Sequence, residues 1–203
     1  MTDLDRRLGR SFFARPTRIV ARALLGQVVV SNIAEGLTAG RIVETEAYLG
    51  ADDPASHAAR LKQGRVKTMW GEAGIAYVYR SYGIHAMLNI VSEGEGIAGA
   101  VLIRALEPLV GIDLMRQRRG VESERLLCSG PGKLCQALGI TLDDHGADLV
   151  RSSRLWIAMS EPVTSVSVSS RIGISRGLEH DWRYWETDNP HVSAHRRGQP
   201  LPE

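Results

Sequence analysis

The spacing of apolar positions changes several times along the chain, and each change marks an element. Residues 16–25 repeat Ile19, Val20, Ala23 and Leu24 at helical spacing, with Pro16 in the first turn and Gly26 as the stop. This predicts a helix. Residues 27–32 (QVVVSN) and 40–48 (GRIVETEAY) are rich in β-branched residues and bounded by glycine, which predicts strands. Residues 75–79 and 84–91 predict two more, joined as a hairpin through Arg80-Ser81-Tyr82-Gly83. Residues 98–106 are almost wholly apolar, with Arg104 as the single charge. Residues 108–119 predict a helix stopped by Gly120, with Leu109, Ile112, Leu114 and Met115 inside. Arg116, Arg118 and Arg119 suit its last turn. A shorter helix is predicted at 131–138, then late strands at 155–159 and 163–168. The mixture is α/β of the α+β type, with antiparallel neighbours rather than doubly wound units.

The segment 42–48 alternates strictly. Ile42, Glu44, Glu46 and Tyr48 are expected on one face, and Val43, Thr45 and Ala47 on the other. Two carboxylates on an otherwise apolar strand fit an edge with solvated glutamates. They also fit a cleft in which a carboxylate beside an aromatic ring acts as general base for water. Glutamates at i and i+2 project together, so their ionisations can couple. The residues alone leave open which of the two would work.

No repeat, low-complexity block or linker divides residues 1–203, which read as a single domain with 195–203 as a tail. Lys and Arg number 25 against 23 Asp and Glu, a net charge of +2. That excludes a strongly basic arm as the basis of function but leaves room for a local basic face. Only Lys62, Lys67 and Lys133 are lysines, so the other 22 of the 25 cations are arginines. Arginine suits phosphate recognition, and GC-rich coding explains the excess equally well. Cys128 and Cys135 are too few for a disulfide scaffold or a four-cysteine zinc site. No apolar run is long enough to span a membrane. Residues 1–10 are charged and lack the apolar stretch of a signal peptide, so a cytoplasmic protein is expected.

Three further stretches could carry chemistry. Asp52, Asp53 and His57 lie close together, but no paired-histidine motif accompanies them. His191 and His195 lie four apart in a polar stretch without a glutamate, so no metal is expected. His57 by itself fits an ordinary loop histidine. The hairpin carries Tyr77, Tyr79 and Tyr82, three of the five tyrosines. They fit packing on a half-buried strand, or a tip that wedges between bases. Ser129-Gly130-Pro131-Gly132-Lys133 opens a helix with free backbone N–H groups and a cation, a seat for phosphate without Walker spacing.

These motifs occur in a telling order. RIVETEAYLG (41–50) is followed by Ser56-His57, YVY (77–79), Tyr82-Gly83 and Asn89, then LIRALEP (102–108) and GPGKLCQALG (130–139). Over residues 24–185 this order and spacing resembles the alkyladenine (3-methyladenine, methylpurine) DNA glycosylase family. The resemblance implies a single domain with a curved antiparallel sheet, flanking helices and a protruding hairpin. It implies excision of damaged purines from duplex DNA by a monomer, with no metal or redox cofactor. By motif position, Glu46 is similar to the general base and Arg104 to the arginine that helps hold the attacking water. Tyr48, His57 and Tyr79 are similar to the walls of the base pocket, and Asn89 to the residue that excludes the exocyclic amine of guanine. Tyr82 is similar to the intercalating wedge. Ile172 falls where a backbone carbonyl meets the water. Gly130, Gly132 and Lys133 are expected at DNA phosphate. The chain departs from the family pattern at Gln63-Gly64-Arg65-Val66 before Met69-Trp70, where Thr-Pro-Arg-Asn before Met-Phe is frequent, and at Ile84, a frequent methionine. A non-catalytic damage binder, a helix-hairpin-helix glycosylase built on Gly130-Pro131-Gly132 and a metal-dependent nucleotide hydrolase are the competing readings.

Overall fold

The computed structural model describes residues 3–193 and the backbone of Gln199–Pro200. Its centre is one long strand. The β-branched run of β1 (Val28–Ile33) turns back into β2 (Gly36–Tyr48), which spans 13 residues. Along one edge β2 pairs with β5 (Ala100–Val110), followed outward by the hairpin of β4 (His85–Val91) and β3 (Ala76–Ser81). The other edge of β2 is shared. β1 takes residues 36–41, and β8 (Arg183–Glu186) takes residues 44–46. β7 (Val166–Ser169) continues beyond β8, β6 (Leu155–Ala158) pairs with β1, and every pairing is antiparallel. The expected tail, 195–203, lies outside the described residues except for β9 (Gln199–Pro200), which pairs with β7.

Among the described residues five α-helices accompany the sheet: α1 (Arg10–Phe13), α2 (Thr17–Ala23), α3 (Ile112–Arg119), α4 (Glu124–Leu127) and α5 (Pro131–Leu138). Val20, Ala21 and Leu24 join Ile42, Ala47, Ile103 and Leu106 in the main core. Leu134 and Leu138 join the same core with Leu88 and Ile90 of β4. Such burial of apolar surface is the chief stabilising term, at roughly 1.5–3 kcal/mol per large side chain. Cys128 and Cys135 are free, and burial pushes both thiols up to about 12. Among the described residues no helix is long and apolar enough to cross a membrane.

The structure corrects the sequence reading at three places. Residues 108–110 belong to β5, not to the following helix, which begins at Ile112. Pro108 sits opposite Gly40, where a Cβ would come within 2.9 Å of Leu106, so glycine lets the strands close there. Leu109 is therefore a partly exposed strand residue. The late strand begins at Val166, and β8 has no counterpart in the local pattern.

The third correction positions the site. Ile42 pairs with Leu106, Glu44 with Ala105 and Thr45 with Ile103. Val43 is thus an extra residue on β2, and Arg104 an extra residue on β5. Paired bulges of this kind re-aim side chains. Ile42 turns to the main core together with Ala47, while Val43 packs with Ala105 and Trp185. The Thr45 hydroxyl donates to the Ala21 carbonyl of α2 at 2.8 Å. Strict alternation would have put Ile42 beside the glutamates. The bulge moves it away and also marks where the β2 edge passes from β1 to β8.

Candidate active site

Glu46 is buried, and its carboxylate is held from three segments. Oε2 accepts from the Tyr48 hydroxyl at 2.8 Å. Oε1 accepts from the Ile172 backbone N–H at 2.7 Å and lies 3.3 Å from Arg104 Nη1. A carboxylate offers about four acceptor sites. The two hydrogen bonds and the Arg104 ion pair engage three of them.

The groups that hold Glu46 also line one pocket of about 310 Å³. Tyr48, His57, Tyr77, Tyr79, Asn89 and Arg104 form its walls, with Ile172 and Tyr82 at the same pocket. The His57 ring meets Tyr79 edge-on at 4.6 Å, and its Nδ1 lies 2.8 Å from the Tyr77 hydroxyl. Met69, Ala58 and Val66 pack with Tyr77 in a small apolar cluster behind this wall. The Asn89 amide is fixed because its Nδ2 donates to the carbonyls of Tyr77 and Met87 at 3.1 and 3.3 Å.

Burial sets the protonation states. Desolvation, reinforced by the Glu46 charge, holds the Tyr48 phenol well above its usual range and pushes Tyr79 up to about 12. Burial likewise raises Tyr77. His57 is lowered by burial and then by Arg60, so it is neutral near pH 7. Burial disfavours the Arg104 cation, but Glu46 and Glu44 outweigh it, and Arg104 is raised.

The hairpin tip carries Tyr82, which is 90% exposed with φ at +49°. Gly83 follows at φ +74°, and the Ile84 N–H donates to the Ser81 carbonyl. Two successive positive φ values make a tight primed turn. A bulky tyrosine there is strained, a feature that clusters at functional positions. Ile84 is also exposed. Beside the tip stands the start of α5. Gly132 faces His85 of β4 so closely that a Cβ would lie 2.9 Å from the histidine's own Cβ. Pro131 reaches the pocket, Lys133 is exposed and Gly130 is the N-cap.

Several site residues went unnoticed in the sequence. Arg171 is fully buried and makes a two-pronged pair with Asp53, at 2.6 and 2.8 Å. It also donates to the Ala47 carbonyl and stacks over the rings of Tyr48 and Trp182. Asp53 in turn accepts from the N–H groups of Leu49 and Ala55. The pair joins the loop that brings His57 to the segment that brings Ile172. Arg183 and Ser193 bind Glu44. Their only sequence signal was the presence of Glu44 on the same face as Glu46. Asp52 is exposed and His195 lies outside the described residues. Among the described residues no group of three or more His, Cys, Asp or Glu could hold a metal ion.

Comparison with known proteins meets this geometry. Residues 11–190 match the family model described as methylpurine-DNA glycosylase. A Chlorobaculum parvum protein named "Putative 3-methyladenine DNA glycosylase" is 50% identical over 198 residues, covering 96% of this chain and 94% of its own. A Rubrobacter xylanophilus protein of the same name is 52% identical over 162 residues, 79% of this chain and 84% of its own. A Chlorobaculum tepidum relative is 46% identical over 198 residues, 96% and 94% of the two chains. With a buried glutamate behind an aromatic pocket and a family match across most of its length, the chain belongs to the methylpurine-DNA glycosylase family, hydrolases of N-glycosyl bonds.

Proposed function

We propose that this protein excises damaged purines from duplex DNA, of the class of 3-methyladenine, 7-methylguanine, hypoxanthine and ethenoadenine, and so opens base excision repair. The observation that carries the reading is Glu46. It is buried, bound by three donors, and each donor lines an aromatic pocket that opens beside an exposed tyrosine.

A purine inside a duplex is out of reach, so the nucleotide is turned into the pocket at a cost of a few kcal/mol. Tyr82 fills the gap it leaves. Stacking on Tyr48, Tyr79 and His57 offsets the cost, at roughly 1–3 kcal/mol per stacked base. A cationic methylated purine gains further from the ring faces. Asn89 blocks the exocyclic amine of guanine. The backbone N–H groups of Gly130 and Gly132, together with Lys133, seat a DNA phosphate.

The chemistry is hydrolysis. The C1′–N bond breaks with its electron pair leaving on the purine, and positive charge develops on the sugar. The Glu46 charge favours that cation. Water held at the free acceptor site of Glu46, with Arg104 and the Ile172 backbone beside it, attacks C1′ and gives its proton to Glu46. A methylated cationic base leaves neutral and requires no acid. None of the three lysines lines the pocket, which supports hydrolysis over a lysine Schiff base.

Glu46→Gln keeps the shape and removes the base. Single-turnover excision from a methylated duplex should fall by about 10²–10⁴-fold, with binding to the lesion duplex retained. Excision by this variant at the rate of the parent would overturn the reading.

A further inference from the structure

A second carboxylate stands behind Glu46, and the chemistry above does not use it. Glu44 is fully buried. Its Oε1 accepts from Arg183 Nε at 2.6 Å and from the Ser193 hydroxyl at 2.9 Å, and its Oε2 accepts from the Ser193 N–H at 2.8 Å. With Arg104 also near Oε1, little acceptor capacity is left for a water. Glu44 is therefore not the base. Nor does a buried ion pair need to be kept for stability, since apolar side chains of similar volume often serve as well.

Arg104 links the two glutamates. Its Nε lies 3.3 Å from Glu44 Oε1, and its Nη1 lies 3.3 Å from Glu46 Oε1. Nε makes no hydrogen bond although it is buried. The guanidinium is thus suspended between two negative charges rather than docked on one. The position follows from its place as the extra residue of the β5 bulge. Arg183 of β8 balances Glu44 from the far side. The other charged or titratable groups around Glu46 are Tyr48 from β2, Tyr79 from β3 and Arg171 from the segment before Ile172.

We propose that Glu44 is a positioning residue that holds Arg104 back from Glu46, leaving the base its one acceptor site for water. This rests on Glu46 acting as the base. Without the Glu44 charge, Arg104 closes onto Glu46, covers the free site and favours its ionised form. Excision then slows, and the acid limb of its pH profile moves to lower pH. Without the Arg183 charge, Glu44 draws Arg104 away, and the acid limb moves to higher pH. A network that merely braces the fold changes the folded fraction and moves neither limb.

The test is single-turnover release of methylated purines from dimethyl-sulfate-treated duplex DNA across the acid and neutral range, with the full chain. Glu44→Gln should lower the plateau rate by about tenfold or more and shift the acid limb down by about one pH unit. Arg183→Gln should shift it up, and Glu44→Asp, which keeps the charge, should leave it near the parent position. If Glu44→Gln does not fold, the upward shift of Arg183→Gln carries the test. Limbs that stay in place in folded variants, while Glu46→Gln is inactive, overturn this role and leave the Glu46 reading intact. Excision by Glu46→Gln at the parent rate overturns both.

Discussion

The Tyr48 hydroxyl donates to Glu46 Oε2 at 2.8 Å, from two residues further along the same strand face. One side chain therefore serves as wall of the pocket and as support for the buried carboxylate. Tyr48→Phe separates the two duties, because the ring stays and the hydroxyl goes. A hydrogen bond to a charged group contributes about 1.5–3 kcal/mol, and about 1.4 kcal/mol is tenfold in rate. Single-turnover excision by Tyr48→Phe should drop by roughly tenfold or more, while affinity for lesion duplex stays close to the parent. A drop in affinity with unchanged rate would show that the hydroxyl serves binding alone.

Tyr82 pits stability against capture. Its positive φ precedes Gly83, and Asn-Gly is the sequence such a primed turn prefers. Tyr82→Asn should thus melt at or above the parent temperature. It should also bind lesion duplex more weakly, since asparagine is too small to fill the space of a displaced base. Thermal melts and equilibrium binding on the same preparation check both halves.

The Arg171–Asp53 pair is fully buried, and each partner depends on the other. Asp53→Asn leaves a buried guanidinium without its counter-charge, which costs about 3–5 kcal/mol in comparable pairs. Urea denaturation should show a lower midpoint with an unchanged slope. At temperatures where the variant is still folded, His57 and Ile172 lose their common tether, and excision should fall as well. An unaltered midpoint would mean that water or a neighbour replaces Asp53.

His57 ties stability to pH. The folded protein keeps it neutral at pH values where the unfolded chain takes up a proton. The unfolded state then binds more protons, so stability rises with pH. The contribution is complete above the ordinary value of 6.5 and is lost as the pH falls through the lower folded value. His145, lowered by burial and then by Arg65, acts in the same direction. Melting temperatures of His57→Gln should decline less steeply on acidification than those of the parent. Equal slopes would show that His57 is solvated in the folded state.

Much of this was legible in the chain because it is local. Helical spacing and Pro16 marked α2, which runs Thr17–Ala23 with Pro16 as its cap. β-branched runs marked β1 and β2, and glycines bracketed α5. Period-two alternation placed Glu44, Glu46 and Tyr48 together, and the structure joins Tyr48 to Glu46 directly. Motif order pointed to Tyr48, His57, Tyr79, Asn89 and Arg104, all of which line one pocket.

What the chain withheld depends on contacts between distant residues. Ile42 leaves the face of the glutamates because two bulges, at Val43 and Arg104, offset each other across a strand pair. No local period announces them. β8 pairs with β2 across a long stretch of sequence and so brings Arg183 to Glu44, 139 residues away, and Arg171 is neutralised by Asp53, 118 residues earlier. Sequence alone determined that a carboxylate pair would project from one strand beside a tyrosine. Only the tertiary structure decided their surroundings, setting Glu44 against Arg183 and Ser193, and Glu46 against Tyr48, Arg104 and the Ile172 N–H, three groups that line an aromatic pocket. Backbone periodicity is set by neighbours in the chain, whereas the partners of a buried charge are set by packing.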